Sequence, residues 1–340
     1  MSRWVVTGAA GFVGAHLVRS LLADGEDVVG LDAFDPAYDP ALKEARAAWV
    51  EAAGGQVRRL DVRDRSDVDR LLADVRPDVV VHLAARAGVR PSQADPLGYL
   101  DVNVRGTGEL LEACARAGGV GHVVYASSSS VYGETTPRPF SARAAADHPV
   151  SPYAATKRMN ELQAHVVSHL HDLPTTGLRF FTAYGPWGRP DMAYFLFAEA
   201  MLSGREITVL GDGSARRDFT YVDDVVAAVR RVAALPPART PGFDPGADGL
   251  AGSDAPWRVL NVGLGEPVSV ADLIGGLERL LGVEARVVRA PALADEVSAT
   301  HADTSDLRAL VGEVPTTPLD VGLAHFVDWL RAYRGIRRGG

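Results

Sequence analysis

Short β-branched runs alternate with longer stretches of helical period through the first half of the chain. Trp4–Thr7, Asp27–Leu31, Val57–Leu60, Asp78–Leu83 and His122–Ala126 read as strands, with helices between them near 12–23, 42–52, 66–74 and 103–117. Strands that recur with helices in between run parallel, because a parallel partner needs a crossover of a dozen or more residues. The expected class is therefore α/β, a doubly wound parallel sheet with helices on both faces. Leu178–Phe181 and Arg258–Val262 read as later strands. From about residue 186 the period weakens, and Leu235–Trp257, crowded with Pro, Gly and Asp, reads as a long surface loop. Two parts are expected: a main domain over 1–185 with strand and helix returns from about 215–265, and a smaller C-terminal α/β lobe occupying mainly 186–335.

Composition narrows the function. The 340 residues are 47% hydrophobic and 23% charged, ordinary for a globular protein and enough for a large core. A formal net charge of -8 leaves no broad basic field, which argues against nonspecific binding to nucleic acid or an anionic membrane. An anionic ligand must then be met by local groups. No apolar run approaches the roughly 20 residues a membrane helix needs, and Val79–Leu83 is interrupted by His82. Trp4-Val5-Val6 leads straight into Gly8, unlike a secretory signal, and the single Cys114 cannot form an internal disulfide; a cytoplasmic protein is expected. His165 and His169 share a helix face beside His171, but no carboxylate or cysteine cluster completes a metal set, and none is expected. Arg337, Arg338, Gly339 and Gly340 read as a solvated tail.

Gly8, Gly11 and Gly14 follow the first strand and open the first helix in the run Thr7-Gly8-Ala9-Ala10-Gly11-Phe12-Val13-Gly14. That context places bare backbone, and the N–H groups of Phe12 and Val13, where a pyrophosphate can approach a helix N-terminus. The spacing is GxxGxxG rather than GxGxxG; its position between strand and helix makes it a dinucleotide loop of Rossmann type. Asp32 ends the second strand, where a carboxylate accepts hydrogen bonds from ribose hydroxyls and repels a 2′-phosphate. With Ala33 and Phe34 beside it and no nearby arginine, NAD is expected rather than NADP. Asp61, Val62, Leu83, Ala84 and Ala85 sit at carboxyl ends of parallel strands, as adenine and ribose contacts or as plain strand termini.

Ser151 and Pro152 read as the N-cap and first position of a helix carrying Tyr153 and Lys157. Four residues apart, the two side chains share a face. An ammonium near a phenol favours the phenolate, so Tyr153 is expected to have a lowered pKa and to act as a base. Ser127, Ser128, Ser129 and Ser130 follow a strand and so lie at the same sheet edge as the glycine loop, where a hydroxyl can orient a substrate alcohol.

The glycine loop, Asp32, His82-Leu-Ala-Ala, Asn103, Ser128-Ser-Ser-Val-Tyr-Gly133 and Tyr153-x-x-x-Lys157 together resemble, nearly end to end, the extended short-chain dehydrogenase/reductases that modify nucleotide sugars. Gly88-Val89-Arg90, Arg179-Phe-Phe-Thr182, Tyr184-Gly-Pro-Trp-Gly-Arg-Pro-Asp-Met192 and Arg217-Asp-Phe-Thr-Tyr221 look most like the UDP-glucuronate 4-epimerases. The resemblance implies Ser128 as the triad hydroxyl, Tyr153 as the base, Lys157 as its partner and nicotinamide ribose ligand, and Asn103 as a cofactor contact. It implies Arg90 on the UDP-sugar and Arg217 on its diphosphate, for which a forked guanidinium suits. Arg217 paired to Asp218 on the surface is the other reading.

Related dehydratases and decarboxylases carry an acid just before Val-Tyr-Gly, where this chain has Ser129 and Ser130; related neutral-sugar epimerases carry asparagine at Thr182. Ser129, Ser130, Thr182 and Arg189 are expected to form a carboxylate-sized pocket. The implied activity interconverts UDP-glucuronate and UDP-galacturonate through a 4-keto sugar, with NAD regenerated and a homodimer expected. A neutral-sugar epimerase, a decarboxylase, a 5-epimerase and a noncatalytic NAD sensor are the alternatives. Arg86 stands where similar epimerases carry glutamine, and Asp295-Glu296 replaces a usual Gly-Asp.

Overall fold

The computed structural model describes residues 2–291 and 299–335. Asp295-Glu296 and the terminal Arg337, Arg338, Gly339 and Gly340 lie outside the described residues. Seven strands form one parallel sheet: β1 (Arg3–Thr7), β2 (Asp27–Asp32), β3 (Gln56–Arg59), β4 (Val79–His82), β5 (His122–Ser128), β6 (Thr175–Phe180) and β11 (Trp257–Val262), in the order β11-β6-β5-β4-β1-β2-β3. β1 is central, and the order reverses between β1 and β4, the switch point where doubly wound sheets open a crevice. Valines fill the middle of the sheet, with Val5, Val6, Val80, Val81 and Val123 fully buried, because both faces are covered by helices.

The helices fall close to the expected places. Phe12–Ala23 matches its expected bounds, while the next begins at Pro40, because Asp39 accepts a hydrogen bond from Ala41 N at 2.9 Å and caps it. The helix expected from 103 is a π-helical segment, Leu100–Arg105, running into the α-helix Gly106–Ala117. Ser151 caps the long helix Pro152–His171, accepting from Ala154 N at 3.1 Å.

Three smaller pairings complete the strands: β7 (Thr182–Tyr184) with β10 (Phe219–Tyr221) in parallel, β9 (Arg216–Arg217) with β12 (Val268–Ser269) antiparallel, and β8 (Ile207–Leu210) with β13 (Val287–Ala290) in parallel. A separate apolar cluster backs them, built from Tyr184, Tyr194, Phe195, Phe219, Leu273 and Phe326 among others. Residues 235–256 are irregular apart from one helical turn, Pro245–Asp248, as their Pro and Gly content anticipates. His165 and His169 stack with ring centroids 6.3 Å apart, and His165 meets the edge of Trp257 at 5.3 Å. Cys114 is buried, and burial pushes its thiol up to about 12.

Candidate active site

The glycine loop is flat because its neighbours leave no room for side chains. A Cβ on Gly14 would fall 2.1 Å from the Gly8 carbonyl oxygen, and one on Gly8, whose φ is +70°, would fall 2.8 Å from Ala84 N. Gly11 caps the helix Phe12–Ala23 without a side-chain cap, so N–H groups at that end are left for a ligand oxygen. This cradle fits a dinucleotide pyrophosphate. Phe12 and Val13 offer only their backbone here, since their side chains pack into the core.

Asp32 is buried at the end of β2 and accepts from Ala10 N at 3.1 Å and Phe34 N at 2.7 Å. The sequence shows no arginine nearby, yet Lys43 reaches Asp32 Oδ1 at 3.4 Å from the following helix. Only the fold brings that cation in. Arg46, one turn further along, is fully buried and donates to the carbonyls of Trp187 and Gly188 at 2.9 and 2.8 Å, and to the Tyr38 hydroxyl at 2.5 Å. It ties the cofactor side of the sheet to the segment that carries Arg189.

Thr7 and His82 set the floor of the crevice. Thr7 Oγ1 accepts from Leu83 N at 3.1 Å and Ala84 N at 3.0 Å, so its own proton turns to His82 Nδ1, 2.8 Å away. His82 is thereby fixed with its proton on Nε2, which donates to Thr107 Oγ1 at 2.9 Å. Burial pulls this imidazole down to about 3 and keeps it neutral. Ala85 follows in the same loop. Asp61 is engaged by Arg63, whose Nη2 donates to it at 2.6 Å and holds its carboxyl below the usual range, and Val62 packs in the core.

Tyr153, Ser128 and Lys157 converge at the carboxyl end of β5. Ser128 lies near enough to the Tyr153 phenol to draw its pKa downward, and Lys157 Nζ lies 6.0 Å from the Tyr153 ring centroid while donating to Ala126 O at 2.9 Å. The lowered Tyr153 pKa expected from Lys157 is not found. Burial pushes the phenol above its ordinary value, and Ser128 and the charge of Arg189 recover only part of that rise. Burial instead acts on the lysine, lowering it to about 8. Asn103 is fully buried beneath this helix, with Nδ2 donating to Arg86 O at 2.9 Å and Thr156 Oγ1 at 3.0 Å.

Behind the serines lies a charged cluster that sequence reasoning missed. Ser127 Oγ donates to Glu161 Oε1 at 2.6 Å, and Arg179 grips both oxygens of Glu161 at 2.8 and 2.9 Å. Glu161 stands four residues past Lys157 on the same helix face, which was the available signal. Ser128 and Ser130 form the turn after β5, with Ser130 N donating to Ser128 Oγ at 3.2 Å, and Ser129 and Ser130 are half-buried.

Arg189 is near enough to Tyr153 for its charge to act on the phenol, and it is anchored by Asp191 Oδ2 at 2.5 Å and Ala87 O at 3.1 Å. Thr182 opens β7, its N–H donating to Asp218 O at 3.0 Å. Arg217 lies on β9 outside the central sheet, with Nη1 donating to Arg216 O at 2.9 Å. Its surface pairing with Asp218 is excluded by geometry, because Asp218 is fully buried and accepts from the N–H groups of Leu264, Gly265 and Ala302 at 2.8, 2.9 and 2.9 Å. Arg90 is exposed on the short helix Val89–Ala94.

A glycine cradle, a buried carboxylate at the end of β2 and a Ser-Tyr-Lys group at the end of β5 share one edge of the sheet, and the model of the NAD dependent epimerase/dehydratase family matches residues 4–242. The chain belongs to that family. It is 44% identical over 341 residues to UDP-glucuronate 4-epimerase 3 of Arabidopsis thaliana, a match covering 99% of this chain and 77% of the relative. A probable UDP-glucuronate 4-epimerase of Rhizobium meliloti (strain 1021) is 41% identical over 329 residues, 96% of either chain. The crystal structure of UDP-glucuronic acid 4-epimerase from Bacillus cereus in complex with UDP-glucuronic acid and NAD has a TM-score of 0.83 at 33% identity, covering 97% of this chain and 99% of that one. Among the described residues, no helix is long and apolar enough to cross a membrane, and no group of three or more His, Cys, Asp or Glu side chains is placed to hold a metal.

Proposed function

We propose that this chain interconverts UDP-glucuronate and UDP-galacturonate by reversible oxidation at carbon 4, with NAD kept through the cycle. The observation that carries the reading is the meeting of Tyr153, Ser128 and Lys157 beside the glycine loop. NAD, when bound, supplies the acceptor and later the donor for the hydrogen of carbon 4. Tyr153 takes the proton of the 4-hydroxyl and gives it back, Ser128 orients that hydroxyl, and Lys157 holds positive charge beside the phenol and binds the nicotinamide ribose. Turning of the 4-keto sugar within the pocket presents its other face, so the product is the 4-epimer.

The cofactor is held by the backbone of Gly8, Gly11, Phe12, Val13 and Gly14 at its pyrophosphate, by Asp32 at the adenosine ribose, and by Asp61, Val62, Leu83, Ala84, Ala85 and Asn103 around them. Arg90 contacts the UDP-sugar and Arg217 its diphosphate. Ser129, Ser130, Thr182 and Arg189 hold the sugar carboxylate. A 4-keto uronic acid is a β-keto acid, and a carboxylate held in place cannot turn perpendicular to the carbonyl and leave as carbon dioxide. The charge of Arg189, which acts on the Tyr153 phenol, supports this, since a guanidinium is the forked donor a carboxylate needs.

In this reading residues 1–185, with returns from about 215–265, bind NAD, and 186–335 mainly bind the nucleotide sugar. The working form is a cytoplasmic homodimer. Met159, Leu162, Val166 and Leu170 make an exposed apolar stripe along the helix Pro152–His171, at the spacing of one helix face, and a two-fold partner would cover it. Sedimentation of wild type as a dimer and of Leu162→Glu/Val166→Glu as a monomer is expected; a wild-type monomer refutes the assembly. For the activity, purified protein is mixed separately with UDP-glucuronate and UDP-glucose, and products are identified by NMR. UDP-galacturonate from the first is expected. A UDP-pentose as the main product, or UDP-galactose formed in preference, overturns the reading.

A further inference from the structure

The loop after β2 and the loop after β4 stand on opposite sides of β1, and one ion pair joins them across the crevice. Arg86 Nε and Nη2 both donate to Asp35 Oδ2, at 3.1 and 3.0 Å, and Arg86 Nη1 donates to Asp95 Oδ2 at 2.7 Å. The arginine backbone is clamped as well: Arg86 N donates to Asn103 Oδ1 at 2.8 Å, and Asn103 Nδ2 donates to Arg86 O at 2.9 Å. Asp35 follows Asp32 by three residues, and Arg86 directly follows Leu83-Ala84-Ala85, so both ends of the bridge belong to loops that line the cofactor cradle.

The second carboxylate oxygen of Asp35 is informative. Oδ1 is buried and has no hydrogen-bond partner, although an ionised oxygen out of water and without a donor is destabilising. An acceptor left this way, beside a loop that lines the glycine cradle, is open to a hydroxyl donor of a ligand. The pair itself is only partly buried, with side-chain exposures of 28% for Arg86 and 23% for Asp35, so added salt weakens it.

We propose that Asp35 and Arg86 form a clasp over the dinucleotide crevice that retains NAD, with Asp35 Oδ1 accepting a hydrogen bond from a hydroxyl of the bound cofactor. The clasp must open for NAD to leave. Its strength therefore sets the release rate rather than the chemistry at Tyr153. It rests on NAD being the cofactor, which the experiment checks first.

Wild type, Arg86→Gln and Asp35→Asn are purified, and the NAD each carries is measured after denaturation. Release is then followed by exchange of bound NAD against labelled NAD at low and high sodium chloride. Wild type is expected to release slowly and to speed up with salt. Both variants are expected to release on the order of fivefold faster at low salt and to lose most of the salt dependence. The charge-swapped double variant Asp35→Arg/Arg86→Asp is expected to regain salt-sensitive release but not the wild-type slowness, since a guanidinium at position 35 cannot accept the cofactor hydroxyl and a carboxylate at position 86 faces Asp95; the recovered salt response separates the clasp from general damage to the loops. Equal release rates and equal salt response in wild type and both single variants overturn the clasp. Wild type that carries and binds no NAD overturns the cofactor reading instead.

Discussion

Glu161 and Arg179 form a fully buried ion pair through two parallel hydrogen bonds, Nε to Oε1 at 2.8 Å and Nη2 to Oε2 at 2.9 Å. Because Glu161 sits on the helix of Tyr153 and Lys157, and also accepts from Ser127, this pair joins that helix to the serine end of β5. Arg179 also lies over the Tyr132 ring at 4.8 Å. Removing Glu161 leaves the Arg179 charge buried without a carboxylate, whereas Glu161 without Arg179 would keep Arg158 Nη1 at 3.0 Å. Glu161→Ala is expected to lower folding stability by about 3–5 kcal/mol, read from urea denaturation, and Glu161→Met/Arg179→Leu to recover part of it. A single variant as stable as wild type would contradict the role.

Tyr153→Phe removes the proposed proton acceptor and leaves the ring and the glycine cradle in place. Turnover of UDP-glucuronate is expected to fall by about 10²–10⁴, with NAD still recovered from the purified protein. Unchanged turnover refutes the role of the phenol.

Thr182→Val and Arg189→Ala loosen the proposed carboxylate pocket. Both are expected to release a UDP-pentose alongside reduced epimerisation, seen by NMR of the reaction mixture. Normal epimerisation with no pentose at all in either variant sinks the idea.

Three histidines make stability fall in mild acid. Burial draws the imidazoles of His16, His82 and His122 down from 6.5 to about 4, 3 and 4. An unfolded chain binds these protons as pH drops through 6.5, while the folded chain does not bind them until near 4. Stability present at neutral pH is therefore lost on descending between about 6.5 and 4, with a slope approaching about 4 kcal/mol per pH unit near pH 5 if all three contribute. Denaturation midpoints measured from pH 7 to 4 check this, and His122→Gln is expected to flatten the slope by about a third. A slope unchanged in that variant removes His122 from the account.

Much of the fold is legible in local pattern. The valine-rich strands, the helices between them, the glycine loop and the Ser151 cap all follow from period, β-branching and capping chemistry that act within a few residues. Tyr153 and Lys157 are readable together because four residues on a helix guarantee one face. The pKa of Tyr153 was not readable, because spacing reports a neighbour and burial is a property of the whole packing.

Other features depend on residues far apart in the chain. Lys43 reaching Asp32, Arg46 gripping the carbonyls of Trp187 and Gly188, Arg86 meeting Asp35, and Asp218 accepting from Leu264, Gly265 and Ala302 carry no mark in sequence. The reversal of strand order between β1 and β4 decides the Arg86–Asp35 contact, by setting which loops share the crevice; the others follow from how the helices and the smaller strand pairs pack on the sheet. By itself, then, the sequence determined the parallel α/β class, the glycine loop between strand and helix and the shared helix face of Tyr153 and Lys157, because each is fixed by short-range spacing. Only the tertiary structure decided which charges are buried, which are paired and which face the cofactor, because those energies depend on who the distant neighbours are and on how much water is excluded.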